Sequence, residues 1–227
     1  PTYNERENIG ELIQDILKLD PPVGVVVVDD DSPDGTADVV ESIRKREPRV
    51  HLIVRKRDRG RGSAGIEGLL YAVDQGADLV VEMDGDYSHH PRYIPALVEA
   101  MKDCDVAIGS RAVSGGREVG RDFIRRGITQ FANGFIRAVM GVQIRDCTSG
   151  FRCFKREVLQ TIGLENMVSA GPSIVEEILY ACKLKGFKMK EVPIVFEDRI
   201  KGESTKTLGQ FADTMIKIVR FRLNMKN

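Results

Sequence analysis

Val80-Val81-Glu82-Met83-Asp84-Gly85-Asp86-Tyr87-Ser88-His89-His90-Pro91 is an apolar run that ends in two carboxylates one glycine apart. The run reads as a buried strand, and Gly85 is where that strand is expected to break so that both carboxylates can reach one cation. Asp-Gly is also an ordinary turn signal, with aspartates that only accept turn amides. The chain on either side decides between a turn and a site.

Working back from this stretch, strands and amphipathic helices alternate. Ile9, Leu12, Ile13, Ile16 and Leu17 have helical spacing, and Asn4 with Glu7 resembles a capping pair, which predicts a helix over about 5–19. Val25-Val26-Val27-Val28 predicts a fully buried strand that runs into the acidic loop Asp29-Asp30-Asp31-Ser32-Pro33-Asp34-Gly35-Thr36. Asp34 or Thr36 is expected to cap the next helix, through Ala37, Val40 and Ile43. A strand over Val50 to Val54 follows, then a loop and a helix through Ile66, Leu69, Leu70 and Val73. In that loop Ser63 is read as the helix cap and Arg59 as a residue facing phosphate.

Working forward, Ile94, Leu97, Val98 and Met101 predict a helix after Pro91, and a strand is expected from Asp105 to Gly109. Beyond it, Ser114-Gly115-Gly116 is a loop, and Phe123, Ile124, Ile128, Phe131, Phe135, Ile136 and Val139 suggest one or two helices. A polar turn, Asp146 to Arg152, enters a short strand. A helix through Ile174, Ile178, Leu179 and Cys182 precedes a strand from Glu191 to Phe196. The alternation predicts an α/β domain with a mainly parallel central sheet, helices on both faces, and ligands at the carboxyl ends of the strands.

The 227 residues, 42% hydrophobic, suffice for one large domain. Lysine plus arginine and aspartate plus glutamate number 34 each, so global charge gives no argument for nucleic-acid binding. The four cysteines have neither finger spacing nor disulfide density and read as buried thiols in a reducing compartment. The sequence shows no signal-peptide pattern and no apolar run long enough to cross a bilayer. Pro1 to Glu5 reads as a loop, expected to follow a first strand that precedes Pro1.

Tyr3 and Glu5, Asp29 to Asp31, and Asp84 with Asp86 are expected at one edge of the sheet. Carboxylates repel phosphate but can hold a Mg²⁺ or Mn²⁺ that binds it, so this set suits a nucleotide diphosphate on a metal. Gly60-Arg61-Gly62-Ser63 matches neither the dinucleotide nor the P-loop fingerprint. Arg111, Arg125, Arg126, Arg199, Lys201 and Lys206 form a second theme, for which guanidinium groups on phosphates are the functional reading and solvated side chains the plain one. His89 and His90 are read as loop residues, one packing or capping and one exposed. No nucleophile–histidine arrangement emerges from the order of residues.

Taken in order, Pro-Thr-Tyr-Asn-Glu, Val-Val-Asp-Asp-Asp-Ser-Pro-Asp-Gly-Thr, Met-Asp-Gly-Asp-Tyr-Ser-His-His-Pro, Ile-Gly-Ser-Arg, Asp-Cys-Thr-Ser-Gly-Phe-Arg and Asp-Arg-Ile-Lys-Gly-Glu-Ser resemble an inverting glycosyltransferase of the GT-A fold. Within that group the chain is most similar to the dolichyl-phosphate mannose synthases, from Pro1 to about Ser204. The resemblance implies transfer of mannose from GDP-mannose to dolichyl or another polyprenyl phosphate, with inversion and a divalent cation, in the service of protein glycosylation. It implies that Pro1, Tyr3, Glu5, Val28 and Asp30 bind the nucleoside. Asp84 and Asp86 would hold ribose, diphosphate and metal, with Ser88 standing where some relatives place a glutamine ligand. Arg111, Arg125 and Thr129 would meet the acceptor phosphate, and Arg199 and Ser204 the donor diphosphate. Thr205 separates Ser204 from Lys206, whereas relatives usually have lysine directly after the serine.

Two other readings stay open: a UDP-glucose-dependent polyprenyl-phosphate glucosyltransferase, and a noncatalytic nucleotide-sugar-binding regulator. Processive polysaccharide synthesis is disfavoured, because those relatives carry Gln-x-x-Arg-Trp and this chain has no tryptophan. The expected organisation is a catalytic domain over 1–206 and a terminal amphipathic helix over 207–227. That helix sets Leu208, Phe211, Met215, Ile218, Val219 and Leu223 broadly on one face with Lys217, Arg220, Arg222 and Lys226 nearby, and it is expected either at a membrane interface or packed on the domain. The implied location is the cytoplasmic face of a membrane, reached directly or through a separate membrane subunit.

Overall fold

The structure, a computed structural model, describes residues 1–120, 122–197 and 208–224. The first part of the chain alternates as its apolar periods require. Helix α1 (Arg6–Leu17) buries Ile9, Leu12, Ile13 and Ile16, and leads to strand β1 (Val25–Asp29). Helix α2 (Thr36–Arg44), strand β2 (Val50–Val54), helix α3 (Arg61–Asp74) and strand β3 (Leu79–Glu82) follow. A short 3-10 turn at Pro91–Tyr93 opens helix α4 (Ile94–Ala100), and strand β4 (Val106–Ser110) is buried at every position.

The second part comprises β5 (Arg117–Val119), α5 (Phe123–Met140), β6 (Arg152–Lys155), α6 (Arg156–Thr161), α7 (Ile174–Leu184), β7 (Met189–Pro193), β8 (Val195–Glu197) and α8 (Leu208–Asn224). Strands β1 and β2 pair in parallel, with Val25 opposite Val50 and Asp29 opposite Val54. The main sheet runs β3-β6-β4-β7. Within it β4 and β7 are parallel, while β6 lies antiparallel between β3 and β4. A small parallel pair, β5 and β8, stands apart. Thr2 adds to the edge of β1: its amide donates to the Val28 carbonyl at 2.8 Å and its carbonyl accepts from Asp30 N–H at 3.1 Å. An apolar cleft of about 660 Å³ separates β1 from β3, and neither Asp86 nor Arg111 lines it.

Two apolar clusters fill the domain. One joins α1, α2 and α4 to the sheet around Ile13, Leu97 and Phe151, and the other gathers α5, α7 and α8 around Ile136, Phe154 and Ile178. Each fully buried leucine or isoleucine contributes about 1.5–3 kcal/mol of transfer free energy. Helix α8 places Ile218 and Phe221 in the second cluster and turns Ile216, Val219 and Leu223 outward. All four cysteines are buried and free, and burial pushes the Cys147, Cys153 and Cys182 thiols up to about 12.

Local capping differs from the sequence reading. Asn4 does not cap α1; its backbone sits at positive φ, and Glu5 occupies the cap position, its side chain accepting from Asn8 Nδ2 at 2.9 Å rather than from a helix amide. The first amide of α1, that of Arg6, instead donates to Asp34 Oδ2 at 3.0 Å, while Asp34 Oδ1 accepts from Thr36 N–H at 2.9 Å. One carboxylate therefore serves the starts of both α1 and α2. Ser63 does not cap α3 either. The helix begins at Arg61, and the Ser63 hydroxyl bonds the carbonyls of Asp58 and Gly60.

Candidate active site

Loops at the carboxyl ends of β1, β3 and β4 form the site. After β3 the chain turns at Gly85, packed so closely under the amino-terminal segment that a β-carbon there would lie 2.8 Å from Thr2 Cγ2 and 3.8 Å from Glu5 Cγ. The expected nucleoside segment and the Asp84/Asp86 loop are thus neighbours. Asp86 is buried, and its Oδ1 accepts from Ser88 N–H at 3.0 Å and from the Ser88 hydroxyl at 2.5 Å. Ser88 therefore orients the Asp86 carboxylate.

Asp84 is held differently. Arg61, from the first turn of α3, reaches Glu82 Oε1 at 3.1 Å and Asp84 Oδ1 at 3.0 Å. Burial works against the guanidinium, but Asp84 and Glu82 outweigh it and hold Arg61 firmly protonated. His89 is buried, stacked on Phe151 with ring centroids 5.1 Å apart, and its Nδ1 accepts from Asp84 N–H at 3.2 Å. An accepting Nδ1 carries no proton. Burial lowers the His89 pKa against the pull of Asp84 and Asp86, so the ring is a neutral spacer and its 3.7 Å approach to Asp84 Oδ2 is no ion pair. His90 is part-buried and accepts from Arg92 N–H, so neither histidine is exposed.

Asp30, at the end of β1, accepts from Gly60 N–H through Oδ2 at 2.7 Å. Its Oδ1 lies 3.1 Å from Arg55 Nη1, close enough for an ion pair but misaligned, so both buried atoms lack a hydrogen-bond partner. Arg59 pairs with Asp31 at the surface, while Arg61 points into the site. Val28 is buried, and Tyr3 is exposed.

Arg111, just after β4, is the second centre. Its backbone N–H, Nε and Nη2 all donate to Asp146, at 2.9, 2.8 and 2.7 Å, and Nη2 also reaches Thr148 Oγ1 at 2.8 Å. Its Nη1 lies 3.4 Å from Glu118, and its guanidinium covers the Phe196 ring at 5.0 Å. Burial alone would push Asp146 up, but the bonds from Arg111 hold its carboxyl below the usual range. A cavity of about 280 Å³ opens here, lined by Arg111, Arg117, Arg126 and Thr129 with Glu118 and Asp146. Arg111 and Thr129 are therefore brought together. Arg125 is not in that lining; its Nε pairs with Asp122 at 3.2 Å. Arg199, Ser204 and Lys206 lie outside the described residues.

Arg126, one of the arginines read as phosphate-binding, does line the cavity, whereas Arg61 and Asp146 were not singled out for these places. The Gly-Arg-Gly opening of α3 was a usable signal for Arg61, because both glycines are required by close packing: a β-carbon on Gly60 would collide with the Ala170 carbonyl oxygen and one on Gly62 with that of Ser169. Asp146 gave none beyond its place in a polar turn.

Among the described residues no group of three or more histidines, cysteines or acids could cage a metal. Asp84 and Asp86 supply hard oxygen donors, two carboxylates in a loop and no thiolate. Such a set fits Mg²⁺ or Mn²⁺ completed by substrate phosphate and water rather than an all-protein zinc site. No described helix is long and apolar enough to cross a membrane.

With this geometry in view, residues 1–163 match the family described as Glycosyl transferase family 2. The chain is 34% identical over 98% of its length to the undecaprenyl-phosphate mannosyltransferase of Micrococcus luteus, covering 92% of that protein. It is 35% identical to the polyprenol monophosphomannose synthase of Mycolicibacterium smegmatis, over 97% of this chain and 84% of that one. Among solved structures, glucosyl-3-phosphoglycerate synthase of Mycobacterium tuberculosis, in complex with Mn²⁺, UDP and phosphoglyceric acid, superposes with a TM-score of 0.70 at 18% identity. That match covers 98% of this chain and 75% of the other, and it shows the shared fold.

Proposed function

The chain belongs to glycosyl transferase family 2, and from that premise we propose that it transfers mannose from GDP-mannose to a dolichyl or other polyprenyl phosphate, with inversion. The observation that carries this reading is the placement of two opposite charge centres around one buried, neutral histidine. Asp84 Oδ2 lies 3.7 Å from His89 Nδ1, and Arg111 covers the Phe196 ring whose centroid is 5.7 Å from that of His89. A donor diphosphate on the carboxylate side and an acceptor phosphate on the arginine side would face each other across the anomeric carbon. The mannosyltransferase names of the two relatives support the choice of sugar and acceptor.

The acceptor supplies its own nucleophile. A phosphate monoester with a second pKa of about 6 is largely dianionic near neutral pH, so its oxygen attacks without a general base. The new bond joins that oxygen to the anomeric carbon, and the bond to the diphosphate breaks on the opposite face, releasing GDP. In this scheme Arg111, fixed by Asp146, orients the acceptor phosphate, with Thr129 and Arg126 beside it and Arg125 close by on the same helix. Pro1, Tyr3, Glu5, Val28 and Asp30 form the nucleoside side, where Asp30 Oδ1 offers a buried acceptor to a base or ribose donor. Asp84, steadied by Arg61, and Asp86, oriented by Ser88, would hold the divalent cation, which when bound neutralises the leaving diphosphate. Arg199, Ser204 and Lys206 complete the proposal as donor-diphosphate contacts. Catalysis is then mainly positioning and electrostatics.

The proposal extends to a catalytic domain over 1–206, a terminal helix over 207–227, and work at the cytoplasmic face of a membrane. Calorimetric titration with GDP, GDP-mannose, UDP and UDP-glucose, with and without Mn²⁺, tests the donor. Metal-dependent preference for the guanosine ligands is expected. Preference for UDP-glucose would favour the glucosyltransferase reading, and binding without transfer to a short polyprenyl phosphate would favour a noncatalytic regulator.

A further inference from the structure

Tyr87 stands between Asp86 and Ser88 with its backbone in the left-handed region, at φ 64°. Among the described residues the other non-glycine positions at positive φ are Asn4, Asp31 and Asp58, of the two types that tolerate it best. A large aromatic residue there is strained and must be held by its surroundings. The bend has a local purpose: the Ser88 N–H and hydroxyl both turn back onto Asp86 Oδ1. The same loop is pinned on its other side, where Gly85 lies under Thr2 and Glu5.

The hold on Tyr87 comes from α1. Its phenol donates to Asp15 Oδ2 at 2.6 Å, across 72 positions of sequence. The part-buried ring packs against the apolar cluster around Ile13 and Leu97 and meets the His90 ring edge-on, with centroids 5.8 Å apart. Bonds from Lys18 and Tyr87 keep the Asp15 carboxyl below the usual range, so it is a charged acceptor at neutral pH. A hydrogen bond to an ionised carboxylate is roughly twice as strong as one between neutral groups. The Lys18 contact, by contrast, is an exposed pair three positions along the helix and contributes little.

Helix α1 is itself fixed at its start, where Arg6 N–H donates to Asp34 and Glu5 N–H to the Thr36 hydroxyl at 3.0 Å. It is therefore a strut between the two acidic loops, tied at its first turn to the loop after β1 and at its third to the loop after β3.

We propose that Tyr87 and Asp15 are positioning residues for the transfer reaction: their hydrogen bond ties the left-handed turn to α1 and so holds Asp86 in the orientation in which it serves the cation. The inference rests on the proposed role of Asp86, whereas the tie itself does not.

The test is calorimetric titration with GDP, at a series of Mn²⁺ concentrations and without metal, of the parent, Tyr87→Phe, Asp15→Asn and the double variant Y87F/D15N. Each single change removes one end of the same bond. Each should raise the Mn²⁺ concentration for half-maximal GDP binding by about three- to tenfold, and the double variant should be no worse than either. GDP binding without metal and the far-ultraviolet circular dichroism should stay as in the parent, and Lys18→Met should leave the Mn²⁺ requirement unchanged. A second pair isolates the strain. Glycine is unstrained at this φ and alanine is not, so Tyr87→Gly should bind GDP with Mn²⁺ more tightly than Tyr87→Ala.

An unchanged Mn²⁺ requirement in both single variants, or single effects that add in the double, would overturn the proposal. Equal losses with and without metal would also overturn it, as a general loosening of the fold, and so would Tyr87→Ala matching or exceeding Tyr87→Gly. A parent whose GDP binding ignores Mn²⁺ would overturn the cation role of Asp86, and the proposal with it. If the Mn²⁺ requirement shifts as expected but the parent transfers no mannose, the positioning role stands and the proposed function falls.

Discussion

Asp146→Asn removes the charge that anchors Arg111. Asp146 is fully buried and takes three bonds from Arg111, with Glu118 standing farther off at 3.4 Å. Removing one member of a buried ion pair strands the other and costs about 3–5 kcal/mol, a large share of a total stability of about 5–15 kcal/mol. For a domain of this size the loss corresponds to a fall in Tm of roughly 6–20 °C. It should show in urea or thermal unfolding followed by circular dichroism at neutral pH. The pH dependence has a definite sign. Arg111 depresses the folded-state pKa of Asp146, so its contribution is present above the unfolded value of about 3.9 and fades as pH falls through the folded one. The gap between parent and variant should therefore narrow in acid. Where the variant is folded, the KM for polyprenyl phosphate should rise more than kcat falls, because a loosened Arg111 no longer meets the acceptor in one position. A variant that melts within about 2 °C of the parent and keeps its acceptor KM would refute the assignment of Asp146 as the anchor.

Gly150→Ala places a methyl group against the Arg61 guanidinium. The strain should cost about 1–3 kcal/mol and weaken GDP binding in a calorimetric titration, because Arg61 steadies Asp84. Asp34→Ala removes an acceptor from the starts of both α1 and α2. About 1–2 kcal/mol of stability should be lost, read by chemical unfolding, with nucleotide affinity little changed. Asp86→Asn keeps the shape of the buried side chain but removes its charge. The transfer rate should fall by about 10²–10³ and the metal-dependent part of GDP-mannose affinity should vanish, while the thermal melt of the ligand-free protein stays within a few degrees of the parent.

The parts of the fold that were legible are those whose pattern is local. The β-branched run Val25 to Val28 and the apolar spacing in α1 and α3 predict their own elements, and the alternation places both acidic loops at one edge. The direction of β6 was not legible, because the four residues Arg152–Lys155 pair the same way in either orientation; packing between β3 and β4 decides it. Asp34 as the acceptor for the α1 amide escaped for a different reason: the partners are 28 positions apart, so no capping motif spans them. At the site, the carboxylate loop declared itself through Gly85. The choice of Arg61 over Arg59 needed the helix start, which Ser63 misplaced by three residues, since the cap position belongs to Gly60. On α5 the apolar positions were visible in sequence, but not which of them face solvent, since an inward and an outward apolar face look alike until the neighbours are placed.

The central claim is the reaction itself. Incubating the purified chain with GDP-mannose, Mn²⁺ and a short polyprenyl phosphate, and assigning the product's anomeric configuration by NMR, tests it directly. The account predicts polyprenyl-phosphate mannose inverted at the anomeric carbon, GDP released in equal amount, and both products formed about 10²–10³ more slowly by Asp86→Asn. A product with retained configuration, or GDP released to water alone, would contradict it.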